Sequence, residues 1–139
     1  GDVIDAHGQV LAGARGEGAD AGTSTVGNPD ANPWAQTTAS ILAGAGPARV
    51  MAGMATTIGV VATDASLTKA QATQLASLSH HGLARAVNPL TPHDGDSFFA
   101  LATGTSGLPG DMTVLGTMAA EAVSRAIRNA VLAARSATP

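Results

Sequence analysis

Met54-Ala55-Thr56-Thr57-Ile58-Gly59-Val60-Val61-Ala62-Thr63-Asp64 starts with small residues and turns, at two consecutive threonines, into an apolar strand. The β-branched side chains of residues 56–63 suit a pleated backbone, and Asp64 supplies a polar stop. The two threonines also carry a chemical possibility. Breaking the peptide bond before Thr56 would leave a hydroxyl and a free α-amine on one residue, a nucleophile with its own base. A Thr-Thr pair opening a strand is equally ordinary β-propensity. Taken alone, the stretch leaves both readings open.

Thirty residues downstream, His93-Asp94-Gly95-Asp96-Ser97-Phe98-Phe99-Ala100-Leu101-Ala102-Thr103-Gly104 leads into a second apolar run. Residues 56–63 and 97–103 are both short and end in turn residues, so each reads as a buried strand, while periodicity alone leaves a buried helix open. Between them, Thr68 and Gln71 form a Thr-x-x-Gln capping box that opens a helix. Leu75, Leu78 and Ala86, with Ala72 and Ala76, give a core stripe to this helix, which ends near residues 81–85, and Asn88-Pro89 terminates the segment. Residues 114–134 form the clearest helix: Leu115, Ala119, Val123, Ile127 and Val131 recur at spacing four, with Arg125, Arg128 and Arg135 outside the stripe. On the N-terminal side, residues 3–12 hold two apolar runs around a glycine-bearing turn, a hairpin pattern. Residues 13–33 read as loop. Residues 34–43 suit a short helix, and 45–55 are again small. The order is hairpin, strand, helix, strand, helix. It predicts an α/β (α+β) chain with antiparallel strands sandwiched by helices.

Bulk composition narrows the function classes. The 139 residues include 30 alanines and 17 glycines but two phenylalanines, one tryptophan and no tyrosine. A core of Ala, Val and Leu buries little area, at about 25 cal/mol per Å², so a partner segment or a homo-oligomer is expected to complete it. With 45% hydrophobic residues the chain is not of disordered composition. Seven basic residues and a net charge of −3 leave no footprint for nucleic acid, and no apolar run is long enough to cross a membrane. The absence of cysteine excludes disulfides and thiolate metal sites. The start, Gly1-Asp2-Val3-Ile4-Asp5, reads as the inside of a strand, and the chain as part of a processed precursor.

The ordered set of Met-Ala-Thr-Thr-Ile at 54–58, Leu67-Thr68-Lys69-Ala70-Gln71, His81-Gly82-Leu83-Ala84-Arg85 and the 93–104 stretch resembles the P1-type peptidases. That family includes the DmpA-type aminopeptidases, the β-peptidyl aminopeptidases and the nylon-oligomer hydrolase. The resemblance implies an αββα sandwich of the self-processing N-terminal-nucleophile type, of which this chain is a C-terminal portion. Residues 1–55 then close the larger subunit and hold the pre-cleavage loop, while 56–139 form the smaller, nucleophile-bearing subunit. It also implies a cofactor-free, cytoplasmic amide hydrolase acting on peptides or ω-amino-acid oligomers. By position, Thr56 is the nucleophile and the bond between Ala55 and Thr56 the processing site. Asp94 and Asp96 match an acidic pair beside the nucleophile, and Asp-Gly-Asp is the nylon-oligomer hydrolase's version of it. Such a carboxylate could orient the α-ammonium or the hydroxyl. The family's oxyanion donors, an Asn with a Lys or Tyr, would fall upstream of Gly1 in the same precursor.

Two features depart from this pattern or compete with it. Ala55 stands where threonine members of the family usually carry Asn, and Met-Ala-Thr also resembles the processing site of ornithine acetyltransferases, which share the architecture. The run 97–101, Ser-Phe-Phe-Ala-Leu, follows the peptidases instead, leaving acyl transfer as the alternative reading and a non-catalytic assembly surface as a third. Asp94 and Asp96 lack the rest of a calcium loop. His7, His80, His81 and His93 lack zinc-ligand spacing and read as surface or capping residues. The glycines of residues 13–22 lack the Lys-Ser/Thr of a phosphate loop.

Overall fold

The computed structural model describes residues 1–13, 34, 36–44 and 56–136. Along them run β1 (Asp2–Ile4), β2 (Val10–Ala12), α1 (Thr37–Leu42), β3 (Ile58–Thr63), α2 (Lys69–Ala84), β4 (Val87–Asn88), β5 (Ser97–Ala102) and α3 (Met112–Ser136). This is a mixed α/β arrangement. The expected loop residues 14–33 and 45–55, Ala55 with them, lie outside the described residues.

The hairpin forms as its pattern predicts, β1 pairing antiparallel with β2. Its turn is held by Asp5, whose Oδ1 accepts from the backbone N–H groups of His7 (2.7 Å) and Gln9 (2.9 Å). The helix opened by the capping box ends within residues 81–85, as its sequence suggests, and short of the Asn88-Pro89 terminator. It stops at Ala84, and Val87–Asn88 pairs antiparallel with β1 to complete the order β2-β1-β4. Proline disfavours helical geometry at the residue before it, and β1 offers an unpaired edge within reach.

The main correction concerns β3 and β5. They pair in parallel, Ile58 opposite Ser97 through Thr63 opposite Ala102, and not antiparallel. The connection between them contains all of α2, so the chain returns to its starting end before β5 begins, as a parallel pair requires. The strands are also not buried on both faces. Burial alternates along each, leaving Ile58, Val60, Phe99 and Leu101 between 56% and 72% exposed. The opposite face meets α2, where the His80 ring stands edge-on to Phe98, centroids 5.0 Å apart.

Both long helices are capped. Thr68 Oγ1 accepts from the Gln71 N–H at 3.2 Å while Gln71 Oε1 accepts from the Thr68 N–H at 2.9 Å. At the start of α3, Asp111 Oδ1 accepts from the N–H groups of Thr113 and Val114. This cap begins α3 two residues before the apolar pattern becomes visible. Leu75, Leu83, Ala86, Ala119, Ala120 and Val123 make the core between the helices. The helices approach closely because Gly82 of α2 has no side chain to keep it from Ala120 and Val123. Arg128 is not merely solvated: it donates to the carbonyls of Ile4 (2.9 Å), Asp5 (3.2 Å) and Arg85 (2.8 Å), tying the hairpin to both helices.

Candidate active site

Parallel pairing decides which residues meet. It brings the N-terminal ends of β3 and β5 to one edge, so the residues preceding each strand become neighbours. Extending the Ile58–Ser97 register backwards sets Thr57 against Asp96 and Thr56 against Gly95. The hydrogen bonds agree. Asp96 Oδ1 accepts from the Thr57 N–H at 2.6 Å, and the Ser97 N–H donates to the Thr57 carbonyl at 2.9 Å. Thr56 is exposed at this edge, its hydroxyl beside Gly95.

The two aspartates are used differently. Asp96 grips the backbone one residue past Thr56, and among the described residues its second oxygen accepts no hydrogen bond. Asp94 is held by its own loop. Its Oδ2 accepts from the Thr91 N–H (2.7 Å) and hydroxyl (3.0 Å), and its N–H donates to the Thr91 carbonyl (3.1 Å). The Thr91 N–H is the main reason the Asp94 carboxyl lies below its usual range, with partial desolvation working against it. Asp94 therefore shapes the 91–94 turn that presents Gly95 and Asp96.

Sequence reasoning did not place His80 against Phe98 or Gly95 against Thr56. The Phe98 ring occupies the place a side chain at position 59 would take, and His80 packs against that ring, two residue pairs inward from Thr57 and Asp96. No spacing rule connects His80 to Phe98, since helix and strand meet only after the crossover. An apolar groove of about 330 Å³ opens between β3 and α3, lined by Val61, Leu75, Leu115, Met118 and Val123 among others. Neither Thr56 nor the aspartates line it. Among the described residues no three His, Cys, Asp or Glu converge as metal ligands, and no helix is long and apolar enough to cross a membrane.

The profile of peptidase family S58 matches residues 9–139, nearly the whole chain. The chain belongs to peptidase family S58. Among curated proteins, an uncharacterized aminopeptidase of Mycobacterium tuberculosis (strain H37Rv) is 40% identical over 94 residues, covering 58% of this chain and 27% of the relative. An uncharacterized aminopeptidase of Mycobacterium leprae is 42% identical over 100 residues, covering 62% of this chain and 28% of its own length. The chain thus spans little more than a quarter of the length of the curated relatives it matches.

Proposed function

We propose that the protein containing this chain is a self-processing N-terminal-threonine amide hydrolase, of the aminopeptidase or ω-amino-acid-oligomer type, with Thr56 as nucleophile. The observation that carries the reading is the parallel register, which sets Thr56 and Thr57 against the 94–96 turn. Family membership and the aminopeptidase names of the relatives support hydrolysis of an amide. The subtype rests on the Asp-Gly-Asp string.

The chemistry runs in two stages. In the first, Thr56 Oγ1 attacks the Ala55 carbonyl, the carbon–nitrogen bond breaks, and the nitrogen takes the hydroxyl proton. Water then cleaves the resulting ester, leaving a carboxylate on Ala55 and a free amine and hydroxyl on Thr56. In the second, the amine withdraws the hydroxyl proton as Oγ1 attacks a substrate amide, and the proton passes to the leaving amine. Water hydrolyses the acyl-threonine ester and restores the site. Asp96 keeps Thr57, and through it Thr56, in place by its bond to the Thr57 N–H. Its other oxygen is available to the new α-ammonium.

The tetrahedral intermediates need oxyanion donors, each typically worth about 10² to 10³ in rate. The proposal assigns these to the remainder of the protein, upstream of Gly1. The same upstream part is the proposed cover for the exposed apolar face of β3 and β5, completing an αββα sandwich, and a homo-oligomer is the expected assembly. Intact-mass measurement and N-terminal sequencing of the full-length protein test the reading. A subunit beginning Thr56-Thr57-Ile58 is expected in the active enzyme, and activity in protein without that terminus removes Thr56 from the role.

A further inference from the structure

The glycine between the two aspartates has no conformational reason to be glycine. Gly8, Gly104 and Gly107 have φ between 69° and 79°, where a side chain is strained, whereas Gly95 lies outside that left-handed region. Among the described residues, its two chain neighbours aside, a Cβ built at Gly95 would meet only Thr56 within 4 Å, with Oγ1 at 3.2 Å and Cγ2 at 3.9 Å. Of these two contacts the tight one is with the hydroxyl of the proposed nucleophile.

We infer that Gly95 is a positioning residue for Thr56: its bare Cα leaves the hydroxyl its rotational room and keeps one side of Oγ1 open to the carbonyl it attacks. This rests on Thr56 being the nucleophile. The backbone supplies the geometry, since the parallel register sets position 95 directly opposite position 56. A methyl at 3.2 Å is closer than ordinary van der Waals contact, so Oγ1 must shift by a few tenths of an ångström or change rotamer. Threonine has few rotamers to choose from, because its β-branch stiffens χ1. Misplacement of a reacting atom on the ångström scale costs about 10²-fold in rate. A methyl that forces a smaller shift is therefore expected to cost about tenfold or more.

The test uses the full-length protein with Gly95→Ala, Thr56→Ala, Thr56→Ser and the double variant Gly95→Ala/Thr56→Ser. Processing is read by intact mass, turnover as separate kcat and KM on a chromogenic amide, and folding by thermal melting. The inference expects Gly95→Ala to melt no lower than wild type, while processing slows and kcat falls at least tenfold with KM little changed. Serine at position 56 lacks the Cγ2 branch and can rotate away from the new methyl. Gly95→Ala should therefore cost several-fold less in the serine background than in the threonine one. Thr56→Ala with full processing and turnover would sink the nucleophile assignment and this inference with it. Thr56→Ala inactive with Gly95→Ala at wild-type rates would overturn the inference alone. So would a loss in Gly95→Ala that tracks a loss of folded protein, or an equal loss in both backgrounds.

Discussion

Under the proposed function, Asp96 serves structure with one oxygen and chemistry with the other. Oδ1 is committed to the Thr57 N–H at 2.6 Å, a charge-assisted bond of the kind worth about 1.5–3 kcal/mol. Two substitutions separate the roles. Asp96→Asn keeps an acceptor for the Thr57 N–H and removes only the charge, so its urea stability should fall by no more than about 1 kcal/mol. Its turnover should fall at least tenfold, because the α-ammonium loses its counter-charge. Asp96→Ala removes the acceptor as well and should lose about 1–2 kcal/mol of stability in addition. Denaturant melts and steady-state kinetics on the full-length protein check both, and an Asn variant with unimpaired turnover would reduce Asp96 to a backbone clasp. The acidic pair was legible in the sequence as a pair. The division of labour was not, since Asp94 bonds to Thr91 only once residues 91–94 have turned.

The two long helices give a sharper contrast between glycines. In a helix interior, Gly→Ala gains about 1 kcal/mol from propensity, so the surroundings decide the sign. At Gly82 a Cβ would fall on the Ala120 carbonyl and 2.8 Å from Val123 Cβ, both on α3. Neither can yield without moving the helices apart, and overpacking of this sort costs about 1–3 kcal/mol. At Gly116 the nearest atom is Leu78 Cδ1 at 2.5 Å, the far end of a flexible side chain. Gly82→Ala is therefore expected to lower the melting temperature, while Gly116→Ala leaves it level or raises it. Thermal melts of the two variants side by side decide the matter. Equal effects would mean that the helix–helix approach does not depend on Gly82.

At the scale of the molecule, one face of the β3–β5 pair is covered by helix and the other shows Ile58, Val60, Phe99 and Leu101. Exposed apolar surface costs about 25 cal/mol per Å² relative to burial, and contiguous patches usually mark a surface that meets another one. Under the proposed function this chain has the nucleophile and the acidic turn, while the oxyanion donors lie elsewhere in the protein. Residues 1–139 produced alone should therefore show neither amide hydrolysis nor a Thr56 terminus, and should self-associate as concentration rises. Light scattering with intact-mass analysis checks this. Robust hydrolysis by the isolated chain would show that its own residues stabilise the oxyanion.

What the sequence determined by itself is local. The Thr68–Gln71 box, the spacing-four stripe of α3 and the glycine-bearing hairpin each involve residues a few positions apart, where backbone hydrogen bonding and side-chain periodicity set the outcome. The family was legible too, through short strings that stay together along the chain. Tertiary structure decided what lies far apart in sequence. A short apolar run looks the same in a parallel or an antiparallel pair, and nothing local to residues 87–88 shows that β1 will offer them an edge. Only the parallel choice places Thr56 beside Gly95 and Thr57 beside Asp96. The reason is geometric: strand direction is settled by where α2 returns the chain, and that depends on α2 packing against β5 and α3 through residues such as Phe98 and Gly82.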